Sequence, residues 1–385
     1  MKLSLLLTNR PDDARGLQSG RTRAADVESI DKPFEPRRCH ASPNPVNSSM
    51  PKVGTIEVGL GKGVMKSERI VSRRGFCLCC VGAAGFAATG GWLSPRAAYA
   101  EARGIVSLIK DSAAKSVISV HKLRNGVTVL EGSGGNIAVL SGTDGLVMVD
   151  AGISVSRKQL TKALGEISRE PVTHLINTHW HFDHADGNSW IGSDATKIIA
   201  HENTRKYLSQ VQRVEDWDYN FLPLHGNGVP QHVFSKEHSL ELNGETLALK
   251  YDGPAHTDGD ISVLFSEADI LHVGDTFWNG IYPFIDHSTG GSIDGMIAAC
   301  EANLSVSTGK TIIIPGHGNP VSNRTELRDF RDMLVGIREN VATLKRQGRT
   351  RDEAVDAKPT AAFDAKWGQF VIDPAFFTRL VYEGL

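Results

Sequence analysis

From about Val117 to Asp150 the apolar positions come in short runs, VISVHKL, GVTVLEG, NIAVLSG and GLVMVDAG, separated by Gly, Asn-Gly and Asp-Gly. β-Branched side chains suit a pleated, half-buried surface and those dipeptides reverse the chain, so the pattern predicts successive strands. From Arg157 to Ile167 the apolar spacing becomes helical, and Thr173 to Asn177 reads as a further strand. A short helix near Asn188, a strand over Lys197–Ala200 and a helix over Glu202–Val211 follow. Residues 212–237 form a long connection with Pro, Gly, Trp217, Tyr219 and Phe221. A connection of that length inside a compact domain is expected to be a lid. A second run of strands spans about His238 to Val273, turned at Asn243-Gly244, and is followed by a helix from Ser292 to Leu304 and a strand from Thr311 to Ile314. A long amphipathic helix from Asn323 to Gly348 and a helical segment near Arg351–Ala357 complete the pattern. Strands followed by helices, twice over, predict two sheets packed face to face with helices outside.

The first hundred residues have a different character. Residues 1–64 scatter Pro, Gly, Ser and Arg without periodicity and read as disordered, or as an over-extended gene start with the initiator at Met65. Residues 65–100 read as a twin-arginine export signal: Lys66 and Arg69, then Ser72-Arg73-Arg74-Gly75-Phe76, a weakly apolar stretch, and the cleavage pattern Ala98-Tyr99-Ala100. The stretch is too short and too rich in Gly and Ala for a good membrane span. The expected product is a periplasmic protein cut after Ala100, carried by the twin-arginine machinery and free of the membrane. Of the five cysteines only Cys300 would survive processing, which leaves no intramolecular disulfide. A net charge of −2 gives no electrostatic case for binding nucleic acid.

The chemistry is concentrated in His179-Trp180-His181-Phe182-Asp183-His184. In an extended backbone alternate residues point one way, while the final Asp-His pair points elsewhere. That arrangement aims ligands at two neighbouring points, as a pair of divalent cations requires. Three more candidates occupy strand-to-loop junctions beside glycine: His256 in GPAHTDGD, Asp275 in HVGDTFW and His317 in PGHG.

The ordered set VDAG, HWHFDH, AHTDGD, GDTF and PGHG resembles the metallo-β-lactamase superfamily of metal-dependent hydrolases, from about Val117 to Gly318. The resemblance implies an α/β fold, the αββα sandwich, with a catalytic domain over 101–322 and a helical extension over 323–385 packed on it. It implies two Zn2+ ions: His179, His181 and His256 on the first, Asp183, His184 and His317 on the second, and Asp275 bridging them as in the glyoxalase II-like branch. Imidazole and carboxylate are ligand types that zinc accepts. Asp150, in VMVDAG, would support the ligands without binding metal. Asp183 would also orient the nucleophile, a hydroxide generated at neutral pH on the metals.

The implied activity is zinc-dependent hydrolysis of an ester, thioester, lactone or amide in a small molecule. A histidine at 181, where the diiron members carry glutamate, favours hydrolysis over oxygen reduction. Asp275, where many true lactamases place Cys or Ser, weakens a β-lactamase assignment, which stays open as an alternative. So does a non-hydrolytic accessory role in a periplasmic quinoprotein or redox system. Trp180, Phe182, Trp278, Tyr282 and Phe284 could wall an apolar pocket, with Trp278 and Tyr282 facing substrate. His121, His174, His201 and His272 read as structural. His225, His232 and His238 belong to or border the lid-like connection, and His287 lies near the candidate pocket.

Overall fold

The structure, a computed structural model, describes the backbone of residues 95–385 and side chains from Gly104 onward. The readings for residues 1–64 and for the twin-arginine motif lie outside the described residues. Helix Pro95–Lys115 runs through the Ala98-Tyr99-Ala100 pattern.

Two sheets carry the domain. The first has seven strands in the order Ser119–Lys122, Val127–Glu131, Ile137–Leu140, Leu146–Val149, Val172–Ile176, Lys197–His201 and His232–Phe234. The early pairings are antiparallel hairpins and those from Leu146–Val149 onward are parallel. The second has six, in the order Glu237–Leu242, Glu245–Tyr251, Ile261–Phe265, Ile270–His272, Ile312–Ile314 and Ser322–Asn323. Between them lies one core, in which Val129, Leu140, Val149 and Ile176 of the first sheet meet Leu249, Val263, Phe265 and Ile314 of the second. The outer face of the first sheet is covered by helix Arg157–Ile167 through Leu160, Ala163 and Leu164. Helices Ile293–Val306, Arg324–Arg346 and Pro374–Glu383 cover the outer face of the second. These are the two face-to-face sheets with outer helices that the strand and helix pattern predicts, in the αββα sandwich that the resemblance implies.

Asn243 and Gly244 both adopt positive φ, 55° and 76°, the geometry of a two-residue hairpin between paired Leu242 and Glu245. The Asn243 side chain also holds the sheets together. Its Oδ1 accepts the Asp144 amide at 2.8 Å, and its Nδ2 donates to the Gly145 carbonyl at 2.8 Å. This clamp closes the end where Leu146–Val149 begins. At the opposite end, the chain leaving Val149, Ile176, His272 and Ile314 runs at once into Asp150, Thr178-His179, Asp275 and His317.

The 212–237 connection is more ordered than a lid. Gln212–Val214 and Tyr219–Phe221 pair as a small hairpin, and His232–Phe234 joins the first sheet in parallel with Lys197–His201. Trp217 and Phe221 are buried against Phe182 and Trp180, which pins the hairpin to the domain.

Asp252, just past Glu245–Tyr251, keeps some surface as a residue, but its Oδ2 is buried without a partner. Burial pushes its carboxyl up to about 7, against the Ser262 hydroxyl and Lys250. The folded-state pKa lies above the unfolded one, so the penalty is absent in acid, builds as pH rises from about 4 to about 7, and is fully present above that. Asp252→Asn should therefore raise the melting temperature by several degrees at about pH 8 and hardly at all at about pH 4. Thermal scans of both proteins at the two pH values check this.

Candidate metal centre

Local folding explains why one short motif serves two clusters. After strand Val172–Ile176 the chain bends through Thr178, His179 and Trp180, and His179 and His181 come into the same group of donors. His181 then caps a one-turn helix, Phe182–Ala185, whose His184 and Ala185 amides donate to the His181 carbonyl at 3.0 and 2.9 Å. That turn swings Asp183 and His184 away from His179 and His181.

Two groups of donor atoms result: His179, His181, His256 and Asp275 in one, and Asp183, His184 and His317 in the other. His256 Nε2 lies 2.8 Å from His181 Nδ1 and 3.3 Å from Asp275 Oδ2. His179 Nε2 is 3.8 Å from Asp275 Oδ2. In the second group His317 Nε2 is 3.3 Å from Asp183 Oδ2 and 3.2 Å from His184 Nε2. Asp275 stands between the groups, with Oδ1 3.0 Å from His184 Nε2 and Oδ2 3.3 Å from His317 Nε2. All seven sequence-predicted donors thus meet in one place.

The donors are held from behind, as metal-binding imidazoles are when the ring nitrogen facing away is hydrogen-bonded. Asp150 Oδ2 sits 2.7 Å from His184 Nδ1 and accepts the Thr178 hydroxyl, while its Oδ1 accepts the Thr178 amide. His256 Nδ1 meets the Phe284 carbonyl at 2.8 Å, and His179 Nδ1 the Thr178 hydroxyl at 3.0 Å. His181 Nε2 meets Asp286 Oδ2 at 3.0 Å. Asp260 accepts the His256 and Thr257 amides and the Thr257 hydroxyl, which shapes the AHTDGD loop. Glycine is required where backbone crowds the donors. A Cβ at Gly135 would come 2.1 Å from His184 Cε1, and one at Gly316 would come 1.9 Å from Asp275 Oδ1.

Several features fit a bound cation. His179 Nε2 and Asp275 Oδ1 are buried without a hydrogen-bond partner, rare for polar atoms and costly unless something else satisfies them. Oδ1 is close to His184 Nε2 but not in hydrogen-bonding geometry. Burial lowers His179 well below the usual imidazole range and His256 to about 4, so both are neutral donors. For His184 and His317 burial is overcome by Asp275 and its neighbouring carboxylates; His184 is raised well above the usual range and His317 to about 9. Protons on these two rings balance the carboxylates in the metal-free chain, and a divalent cation would exchange for them.

The remaining candidates divide. Trp278 is buried with its ring 4.3 Å from that of His317. Tyr282 corrects the sequence reading. It is wholly buried, its hydroxyl donates to Asp364 Oδ1 at 2.8 Å and its ring stacks on Phe377, so it ties the C-terminal helices to the core. His287 does similar work, with Nε2 2.9 Å from the Leu380 carbonyl. His201 stacks on Tyr251, and His272 bonds the Asn136 carbonyl. His225 and His232 are exposed, and His238 stacks on Phe234. The sequence reading missed Asp286 and Asp260. Asp286 adjoins the His287 it did weigh, and Asp260 lies inside the motif that delivered His256.

The family model of the metallo-β-lactamase superfamily matches residues 130–340. The chain belongs to the metallo-β-lactamase superfamily. Among curated members, protein YobT of Bacillus subtilis is 29% identical over 34% of this chain and 57% of its own length. The 2,4-dinitroanisole O-demethylase subunit alpha of a Nocardioides species is 29% identical over 40% of this chain and 44% of its own. A hydroxyacylglutathione hydrolase of Erythrobacter litoralis is 35% identical over 27% of this chain and 34% of its own. The chain thus spans between about a third and three-fifths of the length of these relatives. The solved structure of the sec-alkylsulfatase Pisa1 from a Pseudomonas species superposes with a TM-score of 0.53 at 15% identity, over 73% of this chain and 51% of that one. That likeness shows the fold alone. Superfamily members are generally hydrolases, and the donor groups of this chain suit metal ions.

Asp286 holds His181 through a carboxyl that burial would raise but that His181, Ser288 and Thr289 bring down to about 2. Asp286→Ala should weaken divalent-metal retention by roughly 10- to 100-fold with little change in fold. Competition against a chromophoric chelator, with circular dichroism as control, measures both.

Proposed function

We propose that this chain is a zinc-dependent hydrolase that cleaves an ester, thioester, lactone or amide bond in a small molecule. The observation that carries the proposal is Asp275 lying between two donor groups that together offer five imidazoles and two further carboxylate ligand positions, Asp183 and Asp275 itself. His179, His181 and His256 would hold one ion, Asp183, His184 and His317 the other, and Asp275 both. Imidazole and carboxylate donors without cysteine are a set that zinc accepts in catalytic sites. Bound there, two such ions would bring the pKa of water toward neutrality and polarise a carbonyl oxygen.

The remaining steps fall to the chain. Asp183 and His317 are the donors with most surface, 11% and 13% of their side chains, so substrate approaches from their side. Asp183 would orient the attacking water and take its proton. Trp278, ring against ring with His317, would wall the approach. Asp150 and Asp286 fix ring orientation, which keeps the donors in place without reorganisation during the reaction.

Two comparisons support the chemistry without naming the substrate. A relative is named for hydrolysis of an acylated glutathione, and the family model covers every one of the seven donors. Export by the twin-arginine machinery and residence in the periplasm belong to the same proposal, on the Ser72-Arg73-Arg74-Gly75-Phe76 and Ala98-Tyr99-Ala100 patterns.

The test is a panel of thioester, lactone, aryl ester and nitrocefin-type substrates offered to metal-analysed protein. Turnover of at least one is expected, and His181→Ala and Asp275→Ala should each lose metal and at least about a hundredfold in kcat/KM. Hydrolysis unaffected by those substitutions, or none on any substrate by fully loaded protein, would overturn the proposal.

A further inference from the structure

A second feature lies on the other face of the HWHFDH segment. Trp180 and Phe182, the two apolar residues of the motif, wall a cavity of about 240 Å³ together with Tyr219, Phe221, Leu224 and Lys110. Lys110 comes from helix Pro95–Lys115, and its ammonium stands 5.5 Å from the centre of the Phe182 ring and 5.6 Å from that of Tyr219. Among the described residues it makes no salt bridge.

The polar groups at the cavity separate into spent and free. Trp180 Nε1 donates to Thr289 Oγ1 at 3.2 Å, so only its ring faces are available. The Tyr207 hydroxyl donates to Asp258 Oδ2 at 2.9 Å. Asp186, the acidic residue of the lining, is engaged through Oδ2 by both the amide and the hydroxyl of Ser154. What remains for a ligand is the Lys110 ammonium, the Tyr219 hydroxyl and the exposed Asn220 carboxamide above an aromatic floor.

We infer that this cavity is a binding site for a small apolar anion, an aryl or short acyl carboxylate, with the carboxylate on Lys110 and the apolar body on Trp180, Phe182 and Phe221. Lys110 offers an anion a charged partner, which a neutral ligand would forgo, and hydrogen bonds to charged groups are the strong ones. The volume falls just below the usual range of ligand pockets, roughly 300–1,000 Å³, which limits the occupant to one ring or a short chain. The site adjoins the metal centre without containing it. The far side of Trp180 packs against His181, ring centres 4.6 Å apart, and Phe182 precedes Asp183. Occupancy is therefore positioned to bear on the hydrolytic centre, but the site stands as a binding site whether or not that centre hydrolyses.

The probes are 4-phenylbutyrate and its uncharged isostere 4-phenylbutyramide, titrated calorimetrically into the metal-loaded full chain. The carboxylate should bind one to one and at least about tenfold tighter than the amide, a difference of about 1.4 kcal/mol. Lys110→Met, which keeps the apolar stem, should abolish that preference, and His317→Ala should leave it intact. Equal affinity for acid and amide, or no binding of either, would overturn the inference without any variant. So would a preference that survives Lys110→Met, or one lost in His317→Ala, which would locate the anion on the metals instead.

Discussion

A carboxylate that is almost wholly buried among five imidazoles governs this structure. Asp275 has one oxygen without a hydrogen bond, and His179 beside it has an imidazole nitrogen in the same condition. Burying such groups without a partner costs more than ordinary packing returns. The strain is relieved only by positive charge, as protons on His184 and His317 or as cations in their place. Much else in the domain holds that charge-requiring cluster together. Asp150, Asp286, Thr178 and the Phe284 carbonyl each fix a ring from behind.

The fold supplies the precision. Donors on four different strand ends converge because the central strands of both sheets finish at the same edge, while the Asp144–Asn243 clamp fastens the other end. Glycines let backbone and rings approach where any side chain would collide with a donor, at Gly135 beside His184 and at Gly316 beside Asp275. The helical tail reinforces this from outside. Tyr282 and His287 reach back to Asp364 and Leu380, so the segment after Asp275 is braced by the last helices.

How much of this was legible in the sequence follows from how local each signal is. The strands and helices around the motifs were readable because their apolar spacing is unbroken, and Arg157–Ile167 appears at its predicted bounds. The seven donors were readable because four share the closely spaced HWHFDH segment and three lie in short motifs beside glycine at strand-to-loop junctions. The supporting groups were harder. Asp286 meets His181 across 105 residues, and nothing in the pattern IDHST announces that partner. Tyr282 was misjudged because a tyrosine near a site motif has the same local sequence whether it faces a ligand or a helix from the tail. The 212–237 connection hid its order for a related reason. Strands of three residues leave no periodicity to read, and the burial of Trp217 and Phe221 is decided by distant packing.

The central claim is that one buried aspartate joins two metal positions. Crystals of the zinc-loaded chain, measured on either side of the zinc absorption edge, test it most directly. The account predicts two anomalous peaks roughly 3.5–4 Å apart, one amid His179, His181 and His256 and one amid Asp183, His184 and His317, with Asp275 between them. A single peak at full zinc occupancy, or two peaks with Asp275 touching neither, would contradict it.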